Sequence, residues 1–451
     1  VQHINYRIIY NDGEISLNNT LFENIISTSS RAIYIISTNQ QLSEKYKYNN
    51  YKIQSISKTM NGGVIYNNNQ SIVIDSRFEN VVGSNGGVIY NNKDLTILNS
   101  TFQKITGNDG GTLYNNNSLT IINSTIHTTK GNAGGAIYNN NRLIIISSLI
   151  NNTRCNNLLG GGAIYNKGEC SIDSSIITKS GIGIHCKGGI YNDGTLTINN
   201  TIISECYGID YFAAGVGVHN NGIMTISNSE IINNHAKSAV YDVKEVKQPN
   251  GQIFIYFINI DSGVISNSET GKATITKTII KNNTITRGSN NNWAMYYGTI
   301  KNRGEMEITS CILDGNKPED WDAFWGGEGS INIYNTGKLT YMYNYLLNTQ
   351  YYTGSPHDPC SLLYNTMDGV CNINYNFYCL NPSSVIIHAN PNYYFVPYFD
   401  EYVPIKLNET RNITLSLGLT NGVDYMVFND WDKLLTPGLN ATITTIDENG
   451  E

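Results

Sequence analysis

Charge is scarce in this chain. Only 14% of its 451 residues are charged, the net charge is −7, and lysine and arginine form no stripe. A nucleic-acid partner needs such a basic surface, so that class is excluded. Strong helix formers are sparse, and Asn, Ile, Thr, Ser and Gly dominate instead, so no window supports a helix of ordinary length. No run of about 18 apolar residues occurs, so nothing in the sequence reads as a membrane-spanning helix. There is no Cys-x-x-Cys pair among the eight cysteines, which argues against a structural zinc site. Gly-x-Ser-x-Gly, P-loop, His-Glu-x-x-His and dinucleotide fingerprints are all missing.

What is present is a repeat. Gly86-Gly87-Val88-Ile89-Tyr90-Asn91 is followed by Leu95-Thr96-Ile97, and Gly134-Gly135-Ala136-Ile137-Tyr138-Asn139 by Leu143-Ile144-Ile145. The anchors Tyr66, Tyr90, Tyr114 and Tyr138 are 24 residues apart, and Tyr165 and Tyr191 follow after 27 and 26. Fixed periods of this size mark solenoids, whose units bury their apolar faces only by stacking. The strand pieces are short, β-branched and alternating, as in Leu119-Thr120-Ile121, Leu196-Thr197-Ile198 and Met224-Thr225-Ile226. The expected fold is therefore all-β: a right-handed parallel β-helix of about 11–12 coils of 24–33 residues over residues 1–350, a rod of about 55 Å.

The register inside each unit is strict. An apolar residue stands five positions after the anchor (Leu95, Leu119, Leu143, Leu196, Met224, Met306, Leu339) and another seven further on (Phe102, Ile126, Ile150, Ile203, Ile231, Leu313, Leu346). Asn follows each anchor, and with the Gly often found close behind it is expected to close a turn in the left-handed conformation. Three residues before the second apolar position stand Asn19, Asp75, Asn99, Asn123, Ser147, Asn200 and Asn228, a column expected to stack as a buried hydrogen-bonded ladder. The repeat is interrupted at 37–60, 236–262, 285–297 and 317–330, and such insertions become loops on a shared, often binding, face. Aromatic rings stack on the apolar faces of sugars, so Trp293, Tyr296, Tyr297, Trp321 and Trp325 are the candidate glycan-binding residues; packing on the solenoid flank is the plainer reading.

Cys170 falls in the Leu column and reads as a buried thiol. Cys155, Cys186, Cys206, Cys360, Cys371 and Cys379 are disulfide candidates, with Cys155–Cys186 the first expectation. Eleven Asn-x-Ser/Thr sequons occur. Those at Asn99 and Asn123 lie in the expected ladder and are expected to be buried and unmodified. Asn18, Asn69, Asn151, Asn282, Asn408, Asn412 and Asn440 remain glycosylation candidates in a secreted protein. After about residue 350 the repeat is expected to give way to a cap and linker over 351–396. Alternating segments such as Val403–Leu407, Ile413–Leu417 and Ala441–Ile446 then read as the opening strands of an incomplete Ig-like β-sandwich over 397–451. The ends of the chain, Val1 and Asp447–Glu451, read as those of a piece of a longer, processed protein.

Enzymes on solenoids of this kind need carboxylates clustered across neighbouring coils. Asp75 and Asp173 occupy nearby columns four coils apart, Asp193, Glu205 and Asp210 are expected on different edges, and His127, His185, His219 and His235 are scattered. The densest acidic patch, Asp314, Glu319, Asp320, Asp322 and Glu328, reads as a solvated loop or as a site for a cation or sugar. No cofactor is called for, a structural calcium ion being the single candidate.

Three stretches, Gly-Gly-Ala-Ile-Tyr-Asn (161–166), Leu-Thr-Ile-Ile-Asn-Ser-Thr (119–125) and Pro437-Gly438-Leu439-Asn440-Ala441-Thr442, together resemble adhesin-like surface proteins of methanogenic archaea. The first two also resemble polymorphic outer-membrane autotransporters of chlamydiae, but the Phe-x-x-Asn of that family is not kept: Phe22 and Phe78 are followed by Asn24 and Asn80. The resemblance implies a pectin-lyase-like β-helix followed by Ig-like repeats, an extracellular, cell-surface location, and adhesion to surface glycans or other cells or self-association into filaments. It specifies no ligand. The alternative is a polysaccharide lyase or glycosidase on the same scaffold.

Overall fold

The computed structural model describes residues 6–12, 15–26, 31–35, 61–156, 160–181, 188–210, 215–238, 242–247, 253–258, 263–287, 298–319, 331–347, 361–378, 386–387, 389–399 and 415–435. They form a parallel β-helix. One coil runs from a strand of the first sheet (Leu113–Asn115) to one of the second (Ser118–Ile122), then one of the third (Thr125–Gly131), and enters the next coil at Ile137–Asn139. The three sheets hold 14, 12 and 15 strands. Their in-register parallel pairing places Tyr114 beside Tyr138, Leu119 beside Leu143 and Ile126 beside Ile150. Parallel crossovers take the right-handed sense, which sets the hand of the coil.

The expected apolar register is the core. Ile137, Leu143, Ile145 and Ile150 from one coil lie in a single buried cluster that runs from Ile9 to Ile386. Full burial of each such side chain contributes about 1.5–3 kcal/mol. Phe22, Phe78 and Phe102 stack within it at 5.0 and 4.8 Å. Cys170 takes a Leu position as a free, buried thiol, and burial pushes its pKa up to about 12.

The two polar columns exchange the roles expected of them. Asn67, Asn91, Asn115, Asn139, Asn166, Asn192, Asn220, Asn267, Asn302, Asn335 and Asn365 stay in the strand after the anchor and turn inward, and each of the first ten passes its Nδ2–H to the next Oδ1 at 2.6–2.9 Å. The same amides cap the turn behind them; Asn115 Nδ2 also donates to the carbonyls of Asn117 and Arg142. The left-handed residues are instead Asn19, Asp75, Asn99, Asn123, Ser147, Asn200 and Asn228, with φ between 46° and 50°, and all seven are exposed. A short polar side chain tolerates that conformation, and the corner between second and third sheets points it at water. The buried ladder at that corner belongs to the next residue: Ser100, Ser124, Ser148 and Ser175 each accept the backbone N–H one coil below and return their hydroxyl to the carbonyl two residues back.

Stacking continues past residue 350. Tyr364 and Asn365 pair with Tyr334 and Asn335, Phe377 with Tyr345, and Phe395 with Phe377. The region expected as a cap thus carries further coil strands, because the Tyr-Asn anchor recurs at Tyr364-Asn365 after a longer connection. Of the stretch expected to open an Ig-like sandwich, the described residues extend the third sheet antiparallel: Leu415–Thr420 pairs with Tyr394–Phe399, and Tyr425–Met426 follows it. Phe428, Leu434 and their neighbours pack on Tyr345, Phe377 and Phe395 in a second apolar cluster. The segments Val403–Leu407 and Ala441–Ile446 lie outside the described residues. Among the described residues, no helix is long and apolar enough to cross a membrane.

Candidate binding face

The three corners of the coil differ in what they admit. Connections from first to second sheet are mostly two residues long (116–117, 140–141, 193–194, 221–222, 336–337), and so are those from second to third (123–124, 147–148, 200–201, 228–229, 343–344). The corner before the first sheet varies far more. It holds 107–112 in a tight coil but 239–264, 288–297, 320–330 and 348–360 further along. From residue 207 a fourth sheet (Tyr207–Asp210, His235–Ser238, Thr284–Arg287, Lys317–Glu319) widens the coil on this side. Its own buried ladder, Asn234 to Asn283 to Asn316, turns the chain into it.

This topology brings the sequence-level insertions together. Segment 288–297, with Trp293, Tyr296 and Tyr297, leads into Gly298–Asn302; segment 320–330, with Trp321 and Trp325, leads into Ile331–Asn335; and those two strands are parallel neighbours. Segment 239–264 enters the strand on the other side, Ile265–Asn267, and contains an antiparallel hairpin that sets Lys244 opposite Tyr256. The five aromatic residues lie outside the described residues, and the structure fixes only the strands they join.

The outer side of the first sheet is an aromatic column. Tyr66, Tyr90, Tyr114, Tyr138, Tyr165 and Tyr191 stack at 4.8–5.1 Å with their planes within 13°, and His219 continues the stack at 4.9 Å. Each ring covers its neighbour's face, so these faces are closed to a sugar; edges and hydroxyls remain. An outer amide ladder flanks the column, Asn140 donating to Asn116, Asn116 to Asn92, Asn92 to Asn68 and Asn68 to Asp12. The anchors are half-exposed from Tyr66 to Tyr114 and buried from Tyr138 through Lys301. Where column and ladder become charged, Tyr165 donates to Asp193 Oδ2 at 2.7 Å, Asn221 donates to its Oδ1 at 2.8 Å, and Lys167 Nζ lies 5.5 Å from the Tyr138 ring. Burial, then the Asp193 carboxylate, holds the Tyr165 hydroxyl far above its ordinary pKa, so it stays a donor.

Several carboxylates are held in ion pairs. Glu79 meets Arg77 at 3.0 Å and Lys104 at 3.2 Å, Glu305 meets Lys338 at 2.7 Å, Glu205 meets Lys179 at 3.6 Å, and Asp314 meets Lys281 at 2.6 Å. The Arg77 hydrogen bond holds Glu79 below the usual carboxylate range, Lys338 does so for Glu305, and the Asn199 amide for Asp173. A glycosidase general acid needs the opposite, a raised pKa. Asp75 and Asp173 are indeed four coils apart, about 19 Å at the β spacing, where a carboxylate pair must stand within about 10 Å. Asp193 and Glu205 sit at different corners of their coil, while the Asp210 side chain lies outside the described set. His127 stands on the third sheet, its pKa lowered by burial and then by Arg77, and His235 on the fourth, bonded through Nδ1 to Thr284 at 2.6 Å. No group of three metal-ligating side chains exists among the described residues. Asp320, Asp322, Glu328 and His185 lie outside them.

Two cysteine expectations are corrected: Cys206 and Cys371 are free thiols. Cys206 points into the apolar core, and Cys371 occupies the Leu column opposite Leu339. Cys155 is disulfide-bonded. Cys186, Cys360 and Cys379 lie outside the described residues.

No family model and no curated protein matches the chain. Among solved structures it is similar to two tailspike protein mutants of E. coli bacteriophage HK620 in complex with pentasaccharide, at 10% and 9% identity and TM-scores of 0.26 and 0.23, over 75% of this chain and 69% of the other. Likeness at that level carries no argument about what this chain binds.

Proposed function

We propose that this chain is a non-catalytic attachment module of the cell exterior, an adhesin or filament component of the kind seen in the archaeal surface proteins it resembles. It holds glycans through the loops at the corner before its first sheet. The observation that carries this reading is the placement of the insertions: those at 239–264, 288–297 and 320–330 enter at one corner, and those bearing Trp293, Tyr296, Tyr297, Trp321 and Trp325 lead into adjacent strands. A rigid scaffold with loops gathered on one side is how recognition surfaces are built. The ion-paired Glu79 and Glu305, both held below the usual carboxylate range, are unlike a glycosidase general acid and are consistent with this reading.

The test is a glycan array and whole-cell binding with the wild-type chain and the Trp321→Ala/Trp325→Ala and Trp293→Ala variants. Binding should fall at least tenfold while thermal unfolding stays within about 2 °C of wild type. Equal binding by the variants would remove the aromatic loops as the site. Release of reducing or unsaturated ends from uronic-acid polymers or other glycans, with or without calcium, would replace the attachment reading with an enzymatic one.

A further inference from the structure

The sequons divide into two structural classes, and the division moves Asn99 and Asn123 from the set expected to be buried to the exposed one, beside Asn18 and Asn282. Asn99 and Asn123 are left-handed corner residues with φ of 50° and 48°, exposed to solvent. Asn282 is a third, at the corner where the third sheet ends, with φ of 51° and equally exposed. Asn18, also exposed, immediately precedes the left-handed corner residue Asn19. The buried hydrogen bonding at these places belongs to the following residues, Ser100, Ser124 and Asn283.

Of the other described sequons, Asn69, Asn116 and Asn199 have their amides hydrogen-bonded and Asn151 is half-buried. Asn116 Nδ2 donates to both Tyr90 Oη and Asn92 Oδ1, at 3.0 and 2.8 Å. Asn199 Nδ2 donates to Asp173 at 2.8 Å, and its Oδ1 accepts from Ser227 and Asn228. Asn69 Nδ2 donates to the Asp12 carbonyl at 3.0 Å. The Asn151 Oδ1 is enclosed on the half-buried flank of the third sheet.

We infer that Asn99 and Asn123, with Asn18 and Asn282, are the N-glycosylation sites of the solenoid, and that Asn69, Asn116, Asn151 and Asn199 are not. This rests on the extracellular reading above. In the modification the amide Nδ2 bonds to the anomeric carbon of a lipid-pyrophosphate-linked oligosaccharide, the lipid pyrophosphate leaves, and Nδ2 gives up one proton. At the corners that hydrogen serves no intramolecular bond. In Asn116 both amide hydrogens hold the outer ladder, so a glycan there would break it.

Secretion of the full chain from a glycosylating eukaryotic host, recovery of the folded fraction by size exclusion, and peptide mass mapping test the division. The inference expects glycopeptides at Asn99, Asn123, Asn18 and Asn282, and unmodified peptides at Asn69, Asn116, Asn151 and Asn199. Thr101→Ala and Thr125→Ala remove the two corner sequons without touching the corner; each should lose its glycopeptide with no change in melting temperature. Bare Asn99 and Asn123, or occupancy of Asn116 or Asn199 in folded protein equal to theirs, overturns it. Because the host imposes secretion, that failure is separate from failure of the attachment reading, which the Trp variants decide.

Discussion

Residues 61–156 and residues 263–347 share one inner register and differ at one corner. In the first region the coils are uniform, all three corners are tight, and the anchor tyrosines are half-exposed up to Tyr114. In the second a fourth sheet and connections such as 288–297 and 320–330 intervene, and Gly298–Asn302 is buried along its whole length. The inner Asn ladder passes through both unbroken, from Asn67 to Asn365. Two corners are closed by stacked polar ladders whose hydrogen bonds span neighbouring coils, so an inserted residue there would strip partners from the coils on both sides. At the corner before the first sheet, the wide coils replace the packed Gly-Gly turn and so admit length. Gly110 shows how tight the turn is: its φ is 63°, and a Cβ there would sit on the Leu113 carbonyl oxygen.

The largest effects should come from breaking what the two regions share. Asn166→Ala removes a donor to Asn192, Gly168 and Thr195 and the acceptor of Asn139. Several buried groups lose partners at once, so denaturant unfolding should show a loss of about 3–5 kcal/mol. Asn365→Ala, at the ladder's last link, should cost about 1–2 kcal/mol. Equal costs at the two positions would show that the ladder is not cooperative along its length.

Next in size is the corner contrast itself. A Gly-Ser pair inserted between Asn123 and Ser124 should destabilise by about 3 kcal/mol or more, since it displaces a buried hydroxyl and shifts the register of a strand. The same pair placed within 320–330 should cost under about 1 kcal/mol. Similar melting temperatures for both insertions would erase the distinction between the corners. Ser124→Ala, which takes the acceptor from Ser100 N–H, should fall between them at about 1–3 kcal/mol.

The smallest effect is electrostatic and confined to the regular region. Glu79→Gln should cost less than about 1 kcal/mol at pH 7. Because the native carboxyl is held below its ordinary 4.5, its contribution is complete above that value and disappears as pH falls through the lowered native one. Unfolding free energies of wild type and Glu79→Gln should therefore differ at pH 7 and converge as pH falls below 4.5 and through the lowered native value; a gap that persists in acid would assign the cost to lost packing.

The sequence by itself determined the solenoid, the apolar columns and the buried thiol of Cys170, because in-register stacking makes each inner position recur at a fixed offset from the anchor. It also marked where the coils are interrupted. Tertiary structure decided the rest. A period shows that Asn91 and Asn99 each recur but not which one faces inward: the Tyr-Asn pair remains in the strand, so Asn91 turns in, and the left-handed corner eight residues later faces Asn99 outward. Coil spacing likewise put Cys206 into the core and Cys371 against it, and the return of Tyr364-Asn365 to the first sheet carried the stacking beyond residue 350. Only the fold places the loops bearing Trp293 and Trp321 on adjacent strands, since 28 residues of sequence (293 to 321) become a single step from one coil to the next.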